Sequence, residues 1–491
     1  MDIIFSNVTF GYDHPLFKNL SFHMSEGWSA VVGVNGSGKS TLLRLALREL
    51  VPDSGTVVSP GGVCCEQRCD RMPEGLSELV LSSDGDALKL VRLLSLGEDW
   101  GGRWDTLSFG ERKRAQIAAA LWQSPSLLVI DEPTNHLDRT ARRVLIEALR
   151  HYRGVGIIVS HDRELLESLP YQCLHLDPPD AVMRPGAYSK GKAEEEREKL
   201  YILGERNRIS ANIAKLKADA AVRKGLAGSA DRLRSKKGIG KKDHDAKRRV
   251  DMARISGKDA VQGRILSRLD SRIRQEERKL DSLRLSADRG GDVFMKDTDI
   301  GAGFALRMEE GMVTAGERIV RFPALYLRQG EKIALTGDNG AGKSTLLRSF
   351  AASAPDAFYL PQEIRACDSR DVLRRILGMD NEMKGRILVV VENLGTDVKR
   401  LLSSPEPSPG ELRKLMIAEA VETGRKLLLL DEPANHMDLH SVELLERCLA
   451  ECAASMIVVS HDHVFVRTVA HRCWNLEPDV SGVFGIRVTL L

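Results

Sequence analysis

The chain reads GVNGSGKST at residues 33–41 and GDNGAGKST at residues 337–345, 304 residues later. Both stretches match the pattern GxxxxGK[ST], in which glycines let backbone N–H groups turn inward around a phosphate. Each stretch follows a short β-rich run and precedes a helical pattern of leucines, which is the context that such a loop requires. The repeat therefore predicts two phosphate-binding loops (P-loops) in a duplicated α/β chain.

Each P-loop supplies a set of candidate nucleotide-binding residues. The lysine is predicted to reach the β- and γ-phosphates, and the next serine to place its hydroxyl on Mg²⁺. The helix that begins inside the loop adds positive potential. The first set is Gly33, Asn35, Gly36, Ser37, Gly38, Lys39, Ser40 and Thr41. The second set is Gly337, Asp338, Asn339, Gly340, Ala341, Gly342, Lys343, Ser344 and Thr345.

Two further motifs recur at a common offset of 300 residues. LLVIDEP at 127–133 returns as LLLLDEP at 427–433, and VSHD at 159–162 returns at 459–462. The four apolar residues before each aspartate are typical of a strand buried on both faces, as in a parallel sheet covered by helices. Similar motifs in one order indicate duplicated domains.

The polar residues that end these strands predict metal binding and hydrolysis. An aspartate there can hold Mg²⁺, and the adjoining glutamate can orient the attacking water or act as general base. A neutral imidazole after the next apolar strand can contact the γ-phosphate and hold the water. The predicted metal ligands are Asp131 and Asp431, together with Ser40 and Ser344. The predicted catalytic residues are Glu132, Glu432, His161 and His461.

These motifs resemble the ATP-binding cassette superfamily in both halves of the chain. LSFGE at 107–111 resembles the family's signature segment, and PSPGE at 407–411 is its counterpart. The resemblance implies that each signature caps the γ-phosphate of a nucleotide on the opposite cassette. Residues 135–138 and 435–438 match the loop that crosses this interface. The implied signature residues are Ser108, Gly110, Glu111, Ser408, Gly410 and Glu411.

The resemblance also implies an adenine contact and a glutamine that senses Mg²⁺. Tyr12 stands 21 residues before the first P-loop, where the family stacks an aromatic ring on adenine, whereas the same spacing before the second loop falls on Gly316. Gln362 in YLPQ matches the family glutamine, and Gln67 in CCEQ is its equivalent.

The two sites are predicted to be unequal. The second site lacks the aromatic ring of Tyr12, whereas the signature offered to the first site contains Pro407 and Pro409, which carry no N–H for a phosphate. Each composite site therefore has one weakened element, and we expect different turnover rates.

The segment between the halves is basic and helix-favouring. Residues 190–290 contain 29 Lys or Arg against 16 Asp or Glu, whereas the whole chain has a net charge of only +3. Apolar residues recur at helical spacing over 202–216 and again over 266–283, which predicts an antiparallel pair of amphipathic helices. The connection between them, here called the basic tip, runs from Arg223 to Arg249.

Two cassettes joined by such a linker resemble the ABC-F class. Its members associate with ribosomes and place the linker tip against tRNA or the peptidyl-transferase region. KKGIGKKDHDAKRR at 236–249 matches that tip, and Glu111 and Glu411 fit the class. Independently, clustered cations release counterions from a polyanion, and a tip without aromatic residues suits insertion into RNA.

We therefore expect an α/β protein with a first P-loop cassette at 1–189, a basic helical hairpin linker at 190–290 and a second cassette at 291–491. Each cassette should have a parallel-sheet core and a helical subdomain. The expected function is ATP hydrolysis, with Mg²⁺ as cofactor, coupled to ribosomal RNA or tRNA binding. Only 40 residues separate Gln67 from Ser108, which leaves little room for the helical arm that some members carry. The choice between a translation factor and an antibiotic-resistance protein thus stays open.

The location and the alternatives follow from other features. The chain begins without a signal pattern and has no membrane-spanning apolar run, and its eight cysteines are scattered as reduced thiols would be. We expect a cytoplasmic monomer whose cassettes pair within one chain. The alternatives are an ATP-binding subunit of a membrane transporter and a DNA-structure or repair ATPase.

Overall fold

A computed structural model gives the structure of the chain. It describes residues 2–134, 137, 139–233, 258–283, 303–316, 318–364, 366–404, 406–478 and 484–490. The chain divides into two compact units, Met1–Gly191 with Arg289–Leu491, and Lys192–Asp288. The first unit contains both cassettes, and the second is the helical linker. None of the described helices is long and apolar enough to cross a membrane.

The first cassette is built on a mainly parallel sheet. Its strands are β1 (Ile3–Gly11), β2 (Pro15–Met24), β3 (Gly27–Gly33), β4 (Ser54–Val58), β5 (Val63–Cys65), β6 (Leu127–Asp131), β7 (Val155–Val159), β8 (Gln172–Asp177) and β9 (Asp180–Pro185). Its helices are α1 (Lys39–Ala46), α2 (Leu76–Leu81), α3 (Gly85–Leu93), α4 (Phe109–Trp122), α5 (Arg139–Arg150) and α6 (Arg163–Ser168). The core sheet has the order β5-β6-β7-β3-β8-β9, in which only β9 is antiparallel. Strands β2, β1 and β4 form a separate antiparallel sheet.

The apolar runs of the sequence become the buried centre of this sheet. Leu127, Leu128, Val129 and Ile130 of β6 are all fully buried. Successive side chains of a strand point to opposite faces, so β6 contributes to two cores. Leu128 and Ile130 face a core with α2, α3, α4 and α5, and Leu127 and Val129 face a core with β1, β2 and α1.

The linker unit contains all but the first four residues of α7 (Tyr188–Leu233) and the whole of α8 (Lys258–Ser282). Arg206 Nη1 donates to the Leu283 carbonyl at 2.5 Å, and Lys217 Nζ lies 2.8 Å from a Glu277 carboxylate oxygen. Arg206 thus meets the residue that follows α8, and Lys217, which is further along α7, meets Glu277, which is further back in α8. The helices are therefore antiparallel, as predicted. The seam between them contains the buried residues Ile209, Ile213, Leu216 and Ile273.

The second cassette repeats the architecture of the first. Its strands are β10 (Phe304–Met308), β11 (Gly311–Ala315), β12 (Arg318–Phe322), β13 (Leu325–Arg328), β14 (Lys332–Gly337), β15 (Phe358–Leu360), β16 (Leu427–Asp431), β17 (Ser455–Val459), β18 (Arg472–Pro478) and β19 (Phe484–Leu490). Its helices are α9 (Lys343–Ser353), α10 (Ala366–Leu377), α11 (Asn381–Asn393), α12 (Val398–Ser403), α13 (Pro409–Glu422), α14 (Leu439–Glu451) and α15 (His463–Val469). The main sheet has the order β11-β12-β19-β18-β14-β17-β16-β15, and β10 pairs with β13.

The six-stranded sheet of the first cassette matches the part β15-β16-β17-β14-β18-β19 of the second sheet in strand order and register, and β12 and β11 extend only the second sheet. Asp131 of β6 stands opposite Val159 of β7, and Asp431 of β16 stands opposite Val459 of β17. Both aspartates thus lie at the carboxyl edge of a parallel sheet, beside the P-loop that follows β3 or β14. The predicted fold class, two α/β cassettes with parallel-sheet cores joined by a helical pair, is confirmed.

Candidate nucleotide-hydrolysis sites

Both P-loops are held open around their lysines. Gly38 and Gly342 begin α1 and α9 with φ of +88° and +92°, a left-handed conformation that favours glycine. Lys39 Nζ donates to the carbonyl of Gly33 at 2.8 Å. Lys343 Nζ donates to the carbonyl of Gly337 at 2.8 Å. Each ammonium therefore lies inside the curl of its loop, where a bound phosphate chain would replace the carbonyls.

The two glutamates after the buried strands share an unusual backbone. Glu132 and Glu432 have φ of +48° and +49°, the left-handed region that few non-glycine residues adopt. Their N–H groups donate to the carbonyls of Val159 and Val459 at 2.8 and 3.0 Å. The neighbouring strand thus fixes both strained residues in place. Strain that is held in this way is common at active sites.

Each of these glutamates meets a histidine of the same cassette. His161 Nε2 lies 3.3 Å from Glu132 Oε1, and His461 Nε2 lies 3.6 Å from Glu432 Oε1. Burial, reinforced by Asp131, raises the pKa of Glu132 to about 8, and burial raises the pKa of Glu432 to about 7. Burial, reinforced by Lys39, lowers the pKa of His161 to about 4. The sites thus pair a carboxyl group that titrates near neutral pH with an imidazole, and this suits proton transfer with a water.

The residues predicted to bind metal fit a small divalent cation. Both carboxylate oxygens of Asp431 are buried, and no described side chain donates a well-aligned hydrogen bond to either. Burial raises the pKa of Asp431, and the Ser344 hydroxyl lies close enough to oppose that rise. Buried acceptors without donors are costly, and a cation would satisfy them. A carboxylate with a hydroxyl is an oxygen donor set that Mg²⁺ accepts.

The two candidate glutamines occupy matching places. Gln67 stands two residues beyond β5, and Gln362 stands two residues beyond β15. Those strands have the same register, because Cys65 pairs with Ile130 and Leu360 pairs with Leu430. The structure therefore gives Gln67 the position in the first cassette that Gln362 has in the second.

The signature serines are engaged by their own helices. Ser108 and Ser408 are the N-caps of α4 and α13, and each forms a capping box with the glutamate three residues on. A Glu111 carboxylate oxygen accepts from both the N–H and the hydroxyl of Ser108 at 2.8 Å. To bind a γ-phosphate, either serine must turn its hydroxyl away from that glutamate.

The second signature and the first P-loop line one cavity of about 1550 Å³. The first cassette contributes Tyr12, Asn35, Gly36, Gly38, Lys39, Ser40, Thr41, Gln67, Asp131, Glu132 and His161. The second cassette contributes its signature residues Ser408, Gly410 and Glu411, and the cavity continues to the second P-loop at Asn339, Gly340, Gln362, Glu432 and His461. The structure thus brings together residues of both cassettes in one composite site, here called the first site.

A direct hydrogen bond joins the two cassettes at the first site. The Asn35 N–H donates to Asp438 Oδ2 at 3.0 Å, and the Asn35 amide donates to the His436 carbonyl at 3.4 Å. Asp438 also caps α14 by accepting from the Ser441 N–H at 2.8 Å. The interface loop of the second cassette therefore contacts the first P-loop. In the first cassette, Asn135, His136 and Asp138 of the matching loop lie outside the described residues.

The second P-loop opens into a cavity of about 300 Å³, here called the second site. It is lined by Ala315, Asn339, Gly340, Gly342, Lys343, Ser344, Thr345, Gln362, Asp431, Glu432, Val459 and His461. All of these belong to the second cassette. Ser108, Gly110 and Glu111 are not among the described residues that line it, so within the described part of the chain only the first P-loop shares a cavity with the signature of the opposite cassette.

The adenine end also differs between the sites. Tyr12 is 64% exposed beside the first P-loop, with its hydroxyl 3.4 Å from Thr41 Oγ1 and its ring edge-on to Phe10. Gly316 occupies the turn between β11 and β12 with φ of +62°, and a side chain there would point into open space. Of these two matching positions, only the one in the first cassette carries an aromatic ring.

Two buried cations were missed by the sequence reasoning. Lys113 of α4 is fully buried and donates to the carbonyls of Glu66 and Asp131 at 2.5 and 3.4 Å. Arg413 of α13 donates to the carbonyls of Gln362 and Glu432. Each cation ties its signature helix to the glutamine segment and to the Asp-Glu strand. Lys113 and Arg413 are 300 residues apart, the same offset as the two Asp-Glu motifs, and this repeat of a basic residue was the signal in the sequence that could have identified them.

Comparison with known proteins agrees with this geometry. The sequence model of the family described as ABC transporter matches residues 17–135 and 322–435. The tylosin resistance ATP-binding protein TlrC of Streptomyces fradiae is 31% identical over 537 residues, covering 92% of each chain. The ribosome protection protein VmlR of Bacillus subtilis (strain 168) is 27% identical over 478 residues, covering 92% of this chain and 82% of VmlR.

A solved structure shares the fold. It is a chain from the complex of archaeal ribosomal stalk protein aP1 with the archaeal ribosome recycling factor aABCE1. The TM-score is 0.62 at 18% identity, covering 98% of this chain and 89% of that one. The family match in both halves and the similarity to TlrC over nearly the whole chain decide the classification. The protein belongs to the ATP-binding cassette family, within its ABC-F group, and is an ATP hydrolase.

Proposed function

We propose that this ATPase engages the ribosome, and that ATP bound between its cassettes controls the engagement through the basic linker. The observation that carries the proposal is the composite first site, where Asn35 of the first P-loop donates to Asp438 of the second cassette. A nucleotide in this cavity would touch both cassettes. Its binding is therefore tied to their pairing.

The residues of each site suit hydrolysis by water. Glu132 and Glu432 would orient or deprotonate the attacking water, and His161 and His461 would hold it against the γ-phosphate. Ser40, Asp131 and Gln67 would hold Mg²⁺ at the first site, and Ser344, Asp431 and Gln362 at the second. When bound, Mg²⁺ would supply positive charge that offsets the negative charge of the phosphates during hydrolysis.

ATP can drive a cycle only through different affinities for two arrangements of the cassettes. The paired arrangement places the second signature on the first P-loop, so intact ATP favours it. Hydrolysis and phosphate release remove the group that the signature caps. We infer that pairing fixes the angle of the linker and that hydrolysis releases it.

The linker and the relatives support a ribosomal partner. Residues 190–290 carry a surplus of 13 positive charges, which favours binding to phosphates. Only Arg223 to Leu233 of the basic tip belong to the described residues, and positions 234–249 lie outside them. Two relatives are named for ribosome protection and for tylosin resistance. We therefore favour ribosome protection, by a cytoplasmic protein that acts as a monomer.

A double variant tests the proposal. Glu132→Gln with Glu432→Gln should bind ATP without hydrolysing it, and should pellet with ribosomes in ATP more than the wild type does. Lys39→Ala with Lys343→Ala, which removes the phosphate contacts, serves as the control that should pellet less. If the glutamine variant pelleted less than wild type in ATP, the model would be wrong.

The basic tip has a separate test. Replacing Lys236, Lys237, Lys241 and Lys242 with glutamine should abolish pelleting with ribosomes while basal ATPase activity is kept. Unchanged pelleting would contradict the tip assignment. Parallel assays with membranes and with branched DNA address the two alternatives. A transporter subunit predicts that the Glu132→Gln, Glu432→Gln variant is recovered with membranes, and a DNA-repair ATPase predicts that it is recovered with branched DNA.

A further inference from the structure

Arg400 of the second cassette lies against the first P-loop. Gly36 has φ of +81°, and a Cβ built there would stand 2.9 Å from Arg400 Nη1 and 3.8 Å from Cζ. Arg400 lines the same cavity as Tyr12 and Lys39. The guanidinium therefore brings a charge of one cassette to the phosphate loop of the other.

The Arg400 side chain is not committed to an ion pair within the part of the chain that the structure describes. Glu406, which lines the same cavity, is held by Arg370 at 2.7 Å. Asp397 caps α12 by accepting from the N–H groups of Lys399 and Arg400 at 3.0 and 3.1 Å. Since arginine stays charged at any ordinary pH, its donors are available to an anion in the cavity.

No arginine of the first cassette is among the described residues that line the second site. The position 300 residues before Arg400 is Trp100, which is 4% exposed and packs 5.3 Å from the Arg114 guanidinium. At the second P-loop, Gly340 is the equivalent of Gly36, and Arg318 of the same cassette donates to its carbonyl at 2.8 Å. Among the described residues, an arginine thus reaches the first P-loop in trans and the second in cis.

We propose that Arg400 binds the phosphate groups of the nucleotide on the first P-loop, as a binding residue supplied by the opposite cassette. A guanidinium presents its N–H groups in a planar fork that matches phosphate oxygens. Pro409 leaves the facing signature helix without one N–H at its start. Arg400 of α12, eight residues before Ser408, supplies N–H donors to the cavity that this helix faces.

Each site can be measured alone by disabling the other. Glu432→Gln leaves only the first site active, and Glu132→Gln leaves only the second. In the Glu432→Gln background, Arg400→Ala should raise the KM for ATP about tenfold, as expected for a lost hydrogen bond to a charged group. Arg400→Lys keeps the charge without the fork and should give an intermediate KM. In the Glu132→Gln background, the rise should be much smaller.

Arg374→Ala is the matched control, because Arg374 is an exposed arginine of α10 in the same subdomain, paired only with exposed Asp371. It should leave the KM of both backgrounds unchanged. The proposal is overturned if Arg400→Ala has the KM of this control in the Glu432→Gln background, or raises the KM equally in both backgrounds. Thermal unfolding checks the fold of each variant, and if the alanine variant is unstable, an unchanged KM in Arg400→Lys overturns the proposal.

Discussion

The guanidinium of Arg163 in the first cassette donates to both carboxylate oxygens of Glu446 in the second, at 2.6 and 3.0 Å. The two side chains are only 11% and 8% exposed. Asp462 lies 3.7 Å from the same guanidinium. The equivalent positions in the opposite cassettes hold His463 and Ile146, so the pair exists on one side only. It joins the cassettes two residues beyond His161, which lies 3.3 Å from Glu132.

Breaking this pair from one side should destabilise the protein strongly. Arg163→Met leaves the acidic groups buried without their cation, and we expect the free energy of unfolding to fall by about 3 kcal/mol. The double variant Arg163→Met with Glu446→Met should lose less than the single variant, because no unpaired Glu446 charge remains. Urea denaturation measures both. Equal losses in the single and double variants would contradict a buried ionic contact.

Glu132 and Glu432, the two residues proposed to orient the attacking water, should differ in their effect on ATP turnover. Glu132→Gln should leave the second site active, which has Gly316 at the position of Tyr12, and Glu432→Gln should leave the first site active, which faces Pro409. We expect their residual rates of phosphate release to differ by more than about threefold, a barrier difference of at least about 0.7 kcal/mol. Indistinguishable residual rates would refute the asymmetry.

The buried cations Lys113 and Arg413 should be needed for both fold and turnover. Lys113→Met leaves the carbonyls of Glu66 and Asp131 without their donor, at a cost of about 1–3 kcal/mol in unfolding free energy. Helix α4, which carries the first signature, also loses its hydrogen bond to Asp131 at the end of β6. ATPase activity should therefore fall more than in a core variant that is equally destabilised. Lys113→Arg, which imitates Arg413, should recover part of the activity. No recovery would show that the charge is not what matters.

The buried thiols predict how stability depends on pH. Burial raises the pKa of both Cys65 and Cys173 to about 12. Between pH 9 and 12 these thiols ionise in the unfolded chain but stay protonated in the folded one, so stability is full below pH 9 and falls as the pH rises through this window. Iodoacetamide at pH 8 should therefore modify Cys173 slowly in the folded protein and rapidly in urea. Rapid modification without urea would contradict the burial.

The sequence predicted what is encoded locally. The P-loops, the Asp-Glu pairs and the strands before them depend on runs of a few residues, where glycine conformations and apolar stretches decide the structure. The repeat then located the histidines and signatures. Contacts between cassettes could not be read in this way, because Arg163 and Glu446 are 283 residues apart and meet only when two domains pack. Lys113 was missed because a lysine in a charged helix is usually solvent-exposed.

The most direct test of the central claim, that the first P-loop is completed by the second signature, uses two matched serine variants. Ser108 and Ser408 are both helix N-caps in capping boxes, so Ser108→Glu and Ser408→Glu disturb their helices alike while adding a charge that repels phosphate. In the Glu432→Gln background we expect only the first site to hydrolyse ATP. The measurement is the rate of phosphate release, and we predict that Ser408→Glu lowers it at least about tenfold more than Ser108→Glu does. A larger loss with Ser108→Glu would contradict the composite site.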